Sequence, residues 1–202
     1  MKLYYFQAAC ALASHIMLRE IGADFELEAV AKGTGRTEAG EDFLAVNPKG
    51  QVPTLELESG EVLTEGVAIL QFLADTSPSK AFSPPLGPIE RARLQEHLNF
   101  IASEIHKAFG PLFHGKPDAA TVALVRADVG EKLSHIEGIL SDGRDYLLGE
   151  AFSPADAYLY AVTNWTNFTG IDLAPWPYIQ TFMRRMQQRD SVAAALKAEG
   201  MA

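Results

Sequence analysis

Cys10 is the chain's single cysteine, and its position is the first chemical signal: five residues past an apolar strand (Lys2–Tyr5) and at the start of a helical pattern. A thiol at a helix N-terminus feels the partial positive charge of unpaired amides, which favours thiolate and lowers its pKa. That placement suits redox or thiol-conjugation chemistry, while a small buried hydrophobe is the other reading of a free cysteine. Ala13 stands where a two-thiol oxidoreductase keeps its second cysteine, so a mixed disulfide on Cys10 needs an outside thiol to resolve it. Gln51-Val52-Pro53-Thr54-Leu55 places a proline at the opening of a strand. If the Val52–Pro53 bond is cis, Val52 offers an unpaired amide and carbonyl to an extended peptide; an ordinary edge proline is the alternative. Thr64-Glu65-Gly66 opens an apolar-periodic helix, whose amides can hold a carboxylate while Glu65 pairs with an ammonium. Simple helix capping explains the same residues.

A fourth group lies on a long helix. Asn99, Ser103, His106 and Gly110 recur at spacings of four, three and four and are expected to share a face, flanked by Glu104 and Lys107. Such a stripe is either solvated or lines a cleft toward the first domain, where His106 could hydrogen-bond to the Cys10 thiolate. The five histidines show no spacing that suggests zinc, and His15 reads as structural.

The elements that must position these residues change character along the chain. Residues 1–78 read as strand (Lys2–Tyr5), helix (10–22), strand (Phe25–Ala31), helix (38–46), two short strands (Thr54–Leu57, Val62–Leu63) and a helix (66–75). This order predicts a compact α/β sandwich with a mixed sheet, and Ser59-Gly60 marks a hairpin. Thr76–Pro88, with four prolines, is a linker. Residues 88–202 read as helices throughout: 89–113, 118–140 with Asp118 as N-cap, 153–165, 177–188 and 191–198.

Composition narrows the function. The net charge of −9 over 202 residues, with no basic cluster, argues against a nucleic-acid partner. One cysteine rules out an internal disulfide framework. Small-residue triplets around Cys10 imitate cleavage sites but lack an apolar run before them, and no stretch approaches the roughly 20 apolar residues of a membrane span, so a cytoplasmic location is expected.

Taken in order, these segments resemble the cytosolic-type glutathione transferases, most closely the bacterial Beta class, from Met1 to about residue 200. The resemblance rests on Lys2-Leu3-Tyr4-Tyr5 leading to Cys10, on Asn47-Pro48-Lys49-Gly50-Gln51-Val52-Pro53, on Leu63-Thr64-Glu65-Gly66-Val67-Ala68-Ile69, on 98–107 of the long helix, and on Gly149-Glu150-Ala151-Phe152-Ser153-Pro154-Ala155-Asp156, where Ser153 and Asp156 form a capping box. It implies a thioredoxin-like α/β N-terminal domain, an all-α helical C-terminal domain and a homodimer. It implies glutathione as co-substrate, with no metal, lying across Val52, Pro53, Glu65 and Gly66 with its sulfur beside Cys10. Asn99, Ser103, Glu104, His106 and Lys107 are implied contributors to the glutathione region, some from a partner copy. Gly35 stands where the class usually has a lysine for the glycyl carboxylate, so Arg36 or Lys32 is expected to substitute. Phe109, Phe113, Trp165 and Phe168 are the expected contacts of an apolar substrate between the domains, or ordinary core.

The function expected is conjugation of glutathione thiolate to small hydrophobic electrophiles, a detoxification chemistry, with thiol–disulfide or peroxidase side activity. Cys10 and His106 are its candidate catalytic groups, and Tyr5 a further donor to the thiolate. The alternatives are a glutathione-dependent thiol oxidoreductase or dehalogenase, and a non-enzymatic ligand-binding or transcription-associated module on the same fold.

Overall fold

A computed structural model describes residues 1–201. Contacts divide the chain into two compact units, Met1–Ser83 with Arg189–Ala202, and Pro84–Gln188. The boundary falls inside the proline-rich stretch. The final helix, however, groups with the first unit, where the sequence placed it in the second.

The first unit is a five-stranded sheet in the order β3-β2-β1-β4-β5. Strand β1 (Lys2–Tyr5) pairs in parallel with β2 (Glu26–Ala31) and antiparallel with β4 (Thr54–Glu56). Strand β4 also pairs antiparallel with β5 (Val62–Thr64), and β2 with the short β3 (Arg36–Thr37). Helix α1 (Ala11–Glu20) is buried from Ala11 to Leu18, so it reads as apolar nearly all round and must be covered on several sides. It packs against α3 (Gly66–Thr76) and α10 (Asp190–Ala198).

One expected helix is mostly absent. In place of a helix over 38–46 the chain, just past β3, forms a turn and then the single-turn α2 (Phe43–Val46). Gly40 at φ +91° reverses the backbone, its N–H donating to Thr37 O at 3.0 Å, and Asp42 caps the late start by accepting from Leu44 N–H at 3.1 Å. The helix therefore starts at Phe43, five residues later than expected.

The second unit begins with a continuous helical run: α4 (Ile89–Phe100), a wider π segment (Ile101–His106) and α5 (Lys107–Phe113), which carries Pro111 inside it. Then come α6 (Ala119–Leu140), α7 (Pro154–Thr163), the short α8 (Thr166–Thr169) and α9 (Pro177–Gln187). Asp118 caps α6, its Oδ1 accepting from Thr121 N–H at 2.7 Å. All ten residues of α7 are buried, so its first turn cannot turn to water for hydrogen bonds. The expected capping box answers this: Asp156 Oδ2 accepts from Ser153 N–H (2.8 Å) and Ser153 Oγ–H (2.7 Å), and Oδ1 from Leu147 N–H (2.8 Å). Removing that carboxylate orphans several donors at once. Asp156→Ala is expected to lower stability by about 3 kcal/mol in urea unfolding, because a buried acceptor of charge-assisted bonds is lost. A change below about 1 kcal/mol would contradict this role.

Candidate functional site

Three segments of the first unit converge. Cys10 is the N-cap of α1, and its Sγ–H donates to the Val52 carbonyl at 3.5 Å. The Val52–Pro53 peptide is cis, and the Val52 N–H meets no acceptor among the described residues. Pro53 reaches the third segment, since a Cβ built on Gly66 would lie 3.6 Å from Pro53 Cγ. Glu65, the N-cap of α3, has φ +69° and ψ 113°, a conformation rare for an L-residue and costing roughly 1–3 kcal/mol. Such strain persists where surroundings enforce it, here aiming an exposed carboxylate from the start of an eleven-residue helix whose first amides lack partners.

Asn47 holds the Pro53 loop. Its buried Nδ2 donates to Gln51 O and to Thr54 Oγ1, both at 2.9 Å, and its Oδ1 accepts from Lys49 N–H at 3.1 Å. Lys49 was not among the residues chosen from the sequence, yet its Nζ lies 2.6 Å from Glu65 Oε1 and 3.0 Å from Thr64 Oγ1. The signal for it was present, because Lys49 sits in the turn leading to Pro53 and β4 pairs with β5. Arg36 lies instead on the edge strand β3, with Nη1 donating to Gly40 O at 3.0 Å. Gly35 has φ +69°, a backbone conformation that strains a lysine, and a Cβ there would stand 2.9 Å from Leu44 Cδ1, so the exposed Leu44 side chain would have to shift to admit the lysine of the resemblance.

The electrostatics of Cys10 run opposite to the sequence expectation. Burial pushes its thiol up to about 11; hydrogen bonds from the Cys10 and Ala11 amides act downward, as a helix N-terminus should, but do not prevail. Cys10 is therefore a neutral S–H donor at neutral pH. Tyr5 is also raised, by burial first and then by the Glu199, Glu38 and Glu28 carboxylates, which keeps its phenol protonated.

In the helical unit the expected single face splits in two. The π segment, bonded i to i+5, advances each residue by less than an α-helical step, so helical spacing no longer aligns its side chains. Ser103, Glu104 and Lys107 line an open groove of about 450 Å³ with Asp128 and Lys132 of α6, and Asn99 is exposed. His106 instead enters an aromatic cluster. Its Nδ1 lies 2.7 Å from Tyr158 Oη, and its ring meets Trp165 edge-on at 4.8 Å. Burial, aided by the Lys107 charge, lowers His106 to about 4, so the imidazole is neutral and a weak base. Trp165 also meets Phe109 (5.5 Å) and Phe113 (5.0 Å). Phe109 and Trp165 are buried, whereas Phe113 and Phe168 remain exposed.

Two families of known proteins match the chain, one at each end. Residues 9–76 match the glutathione S-transferase N-terminal domain family and residues 100–190 the C-terminal domain family. The chain is 45% identical to glutathione S-transferase GstA of Escherichia coli O157:H7, over all of both chains. Among solved structures, a sphingomonad glutathione S-transferase complexed with glutathione superposes with a TM-score of 0.94 at 47% identity, covering all of both chains. A bacterial beta class glutathione S-transferase of Sphingomonas chungbukensis gives 0.95 at 44% identity, also over both full lengths.

Two measurements check the electrostatics. Cys10 is expected to alkylate with iodoacetamide more slowly at about pH 7.5 than an unhindered thiol, its rate still climbing beyond about pH 9; a plateau near neutrality would show a thiolate instead. His106 titrates near 4 in the fold against 6.5 unfolded, so the folded state binds fewer protons between those values and stability falls as pH drops through that window. His97, also lowered by burial, acts in the same direction. His106→Asn should therefore lose less stability than wild type between about pH 7.5 and about pH 5, and equal losses would contradict the assignment.

Proposed function

Because the chain belongs to the glutathione S-transferase family, we propose that glutathione lies along Val52, Pro53, Glu65 and Gly66 with its sulfur beside Cys10. The observation that carries this reading is the Cys10 S–H resting on Val52 O while the Val52 N–H is left without an acceptor among the described residues. An extended tripeptide pairs with both backbone groups as an added strand. Its γ-glutamyl carboxylate takes the free amides at the start of α3. Its ammonium takes the Glu65 carboxylate, where the Lys49 ammonium sits in the free protein. Both partners of that pair are more than half exposed, so exchanging one cation for another costs little. Lys49 is then released toward a carboxylate of the same peptide, a role for which Arg36 has less support, its guanidinium being held by Gly40 O.

When a ligand N–H takes the Val52 carbonyl, the Cys10 S–H loses its acceptor and turns to the glutathione sulfur. A thiol held near 11 keeps its proton at neutral pH, so beside a thiolate it acts as a donor, though a weak one, and not as a base. Cys10 accordingly stabilises the glutathione thiolate as a donor, assisted by the amides at the start of α1, with Tyr5 as a second protonated donor. The same value weighs against a reading in which Cys10 is chiefly the attacking nucleophile of a thiol oxidoreductase. Mixed-disulfide formation remains a side reaction.

His106, kept neutral, contributes a hydrogen-bonding imidazole, and Asn99, Ser103, Glu104 and Lys107 supply polar contacts to glutathione. Phe109, Phe113, Trp165 and Phe168 present apolar surface to a small hydrophobic electrophile. A homodimer belongs to the same proposal, with a second copy against the groove of Ser103, Glu104 and Lys107, beside which Leu124 is 73% exposed. So does a cytoplasmic role in detoxification.

Calorimetric titration with glutathione tests the reading. Wild type should bind, Glu65→Ala should bind at least about tenfold more weakly, as loss of a charge-assisted contact implies, and Cys10→Ala should keep part of its conjugating activity while losing mixed-disulfide formation. Absence of glutathione binding by wild type would remove the proposal, and complete loss of conjugation in a folded Cys10→Ala would assign Cys10 a covalent role.

A further inference from the structure

The turn that delivers Cys10 holds a conformation its own sequence does not favour. Ala9 N–H donates to Phe6 O at 3.2 Å, and inside that turn Ala8 sits at φ +59°, a left-handed backbone usual for glycine and costly for a residue with a Cβ. Its neighbour Gln7 is exposed, yet its side chain is tied down. Nε2 donates to Glu199 O at 2.8 Å and to Gly200 O at 3.3 Å, across almost the whole length of the chain.

Those carbonyls are available for a structural reason. Helix α10 closes with Met201 N–H on Leu196 O (2.8 Å) and Gly200 N–H on Lys197 O (3.2 Å), Gly200 being left-handed at φ +68°. This terminus satisfies the earlier carbonyls and leaves those of Glu199 and Gly200 seeking donors. The helix end is itself fixed. The Glu199 side chain is fully buried, with Oε1 2.9 Å from His15 Nδ1. Arg19 Nε, always a donor, gives its hydrogen to His15 Nε2 at 2.9 Å. Nε2 is therefore the acceptor, and Nδ1 carries the proton donated to Glu199. His15 and Arg19 belong to α1, the helix that Cys10 caps, so the circuit closes: Cys10 to α1, α1 through His15 to Glu199, and the Glu199 backbone through Gln7 to the turn before Cys10.

We propose that Gln7 is a positioning residue for the transferase reaction: its hydrogen bonds to the C-terminal carbonyls of α10 hold the left-handed turn that points the Cys10 thiol at Val52. The inference rests on the glutathione site proposed above, where that thiol meets the ligand sulfur.

Gln7→Leu in the full chain is the test. The KM for glutathione is expected to rise about fivefold, the loss expected for one ordinary hydrogen bond, with kcat changed less than about twofold. Because Gln7 is exposed, the melting temperature should stay within about 2 °C. Glu20→Gln is the control. It weakens the contacts of Glu20 with Arg189 and Ser191 at the other end of α10 without touching the turn. It should lower the melting temperature and leave KM unchanged. Adding Ala8→Gly to Gln7→Leu should return KM toward wild type, since glycine adopts the left-handed turn unaided. The proposal is overturned if Gln7→Leu leaves KM within about twofold of wild type, if Glu20→Gln raises KM as much, or if Ala8→Gly gives no rescue. Glu65→Ala, assayed alongside, separates the two readings. A shift there with none in Gln7→Leu rejects only the anchor; no shift in either rejects the glutathione site with it.

Discussion

Strand register is the constraint on which the first unit's chemistry depends. Tyr4 faces Thr54 across the β1–β4 pair, and Thr54 faces Thr64 across β4–β5. Because both pairings are antiparallel, the chain leaving β1 toward Cys10, the chain entering β4 through Val52–Pro53 and the chain leaving β5 into Glu65–Gly66 all lie beyond one end of the sheet. A slip of one residue in either pairing would turn every side chain of that strand to the opposite face. Thr54 helps to lock the register, its Oγ1 donating to Gln51 O at 2.8 Å and accepting from Asn47 at 2.9 Å. Cys10 and Val52, 42 positions apart, thus become neighbours, with Glu65 at the same end of the sheet, through ladder hydrogen bonds between other residues.

The two candidate catalytic groups, Cys10 and His106, are kept uncharged. Burial raises Cys10 and lowers His106, so each holds its neutral form near pH 7. A chain of net charge −9 does not draw in an anionic peptide by its overall field. Attraction has to come from local sources: helix-end amides at α1 and α3, and the Lys49 ammonium above Glu65. In the proposed complex the anion arrives with the ligand and is stabilised by donors already in place, which avoids the expense of maintaining a buried thiolate in the free protein.

Features written in local sequence were legible. The strand before Cys10, the hairpin at Ser59-Gly60, the caps at Asp118 and Ser153–Asp156, and the Cys10, Val52–Pro53 and Glu65–Gly66 segments all rest on punctuating residues a few positions apart. What escaped the sequence depends on distant surroundings. The helix expected at 38–46 gave way in its first half to a turn closed by Gly40 N–H on Thr37 O, because Thr37 is held to the β2 edge just before it. The helix N-terminus correctly indicated amides acting on Cys10, but nothing near it in sequence signals burial strong enough to reverse the result. His106 was placed on a common stripe with Ser103 by α-helical spacing that the π segment does not keep. Gln7 resembles any exposed loop glutamine until a partner 192 residues away is in place.

The membership of α10 in the first unit follows from the same physics. Helix α1 buries every residue from Ala11 to Leu18, including His15 and Ser14, which a sheet on one side and α3 on another do not fully cover. A third element is required, and it arrives from the far end of the chain. Its polar contacts do more to specify than to stabilise: a buried Glu199–His15 pair recovers in hydrogen bonding much of what desolvation removes, and leaves Glu199 Oε2 without a hydrogen-bond partner among the described residues. What such a pair supplies is position. Glu199 bound by His15 fixes the C-terminal end of α10 against α1, while Glu20 bound bidentately by Arg189 secures the opposite end of the helix. It is the His15 contact that keeps the terminal carbonyls within reach of Gln7. The last turn of the protein is thus placed relative to its only thiol by ionisable groups rather than by the core they interrupt.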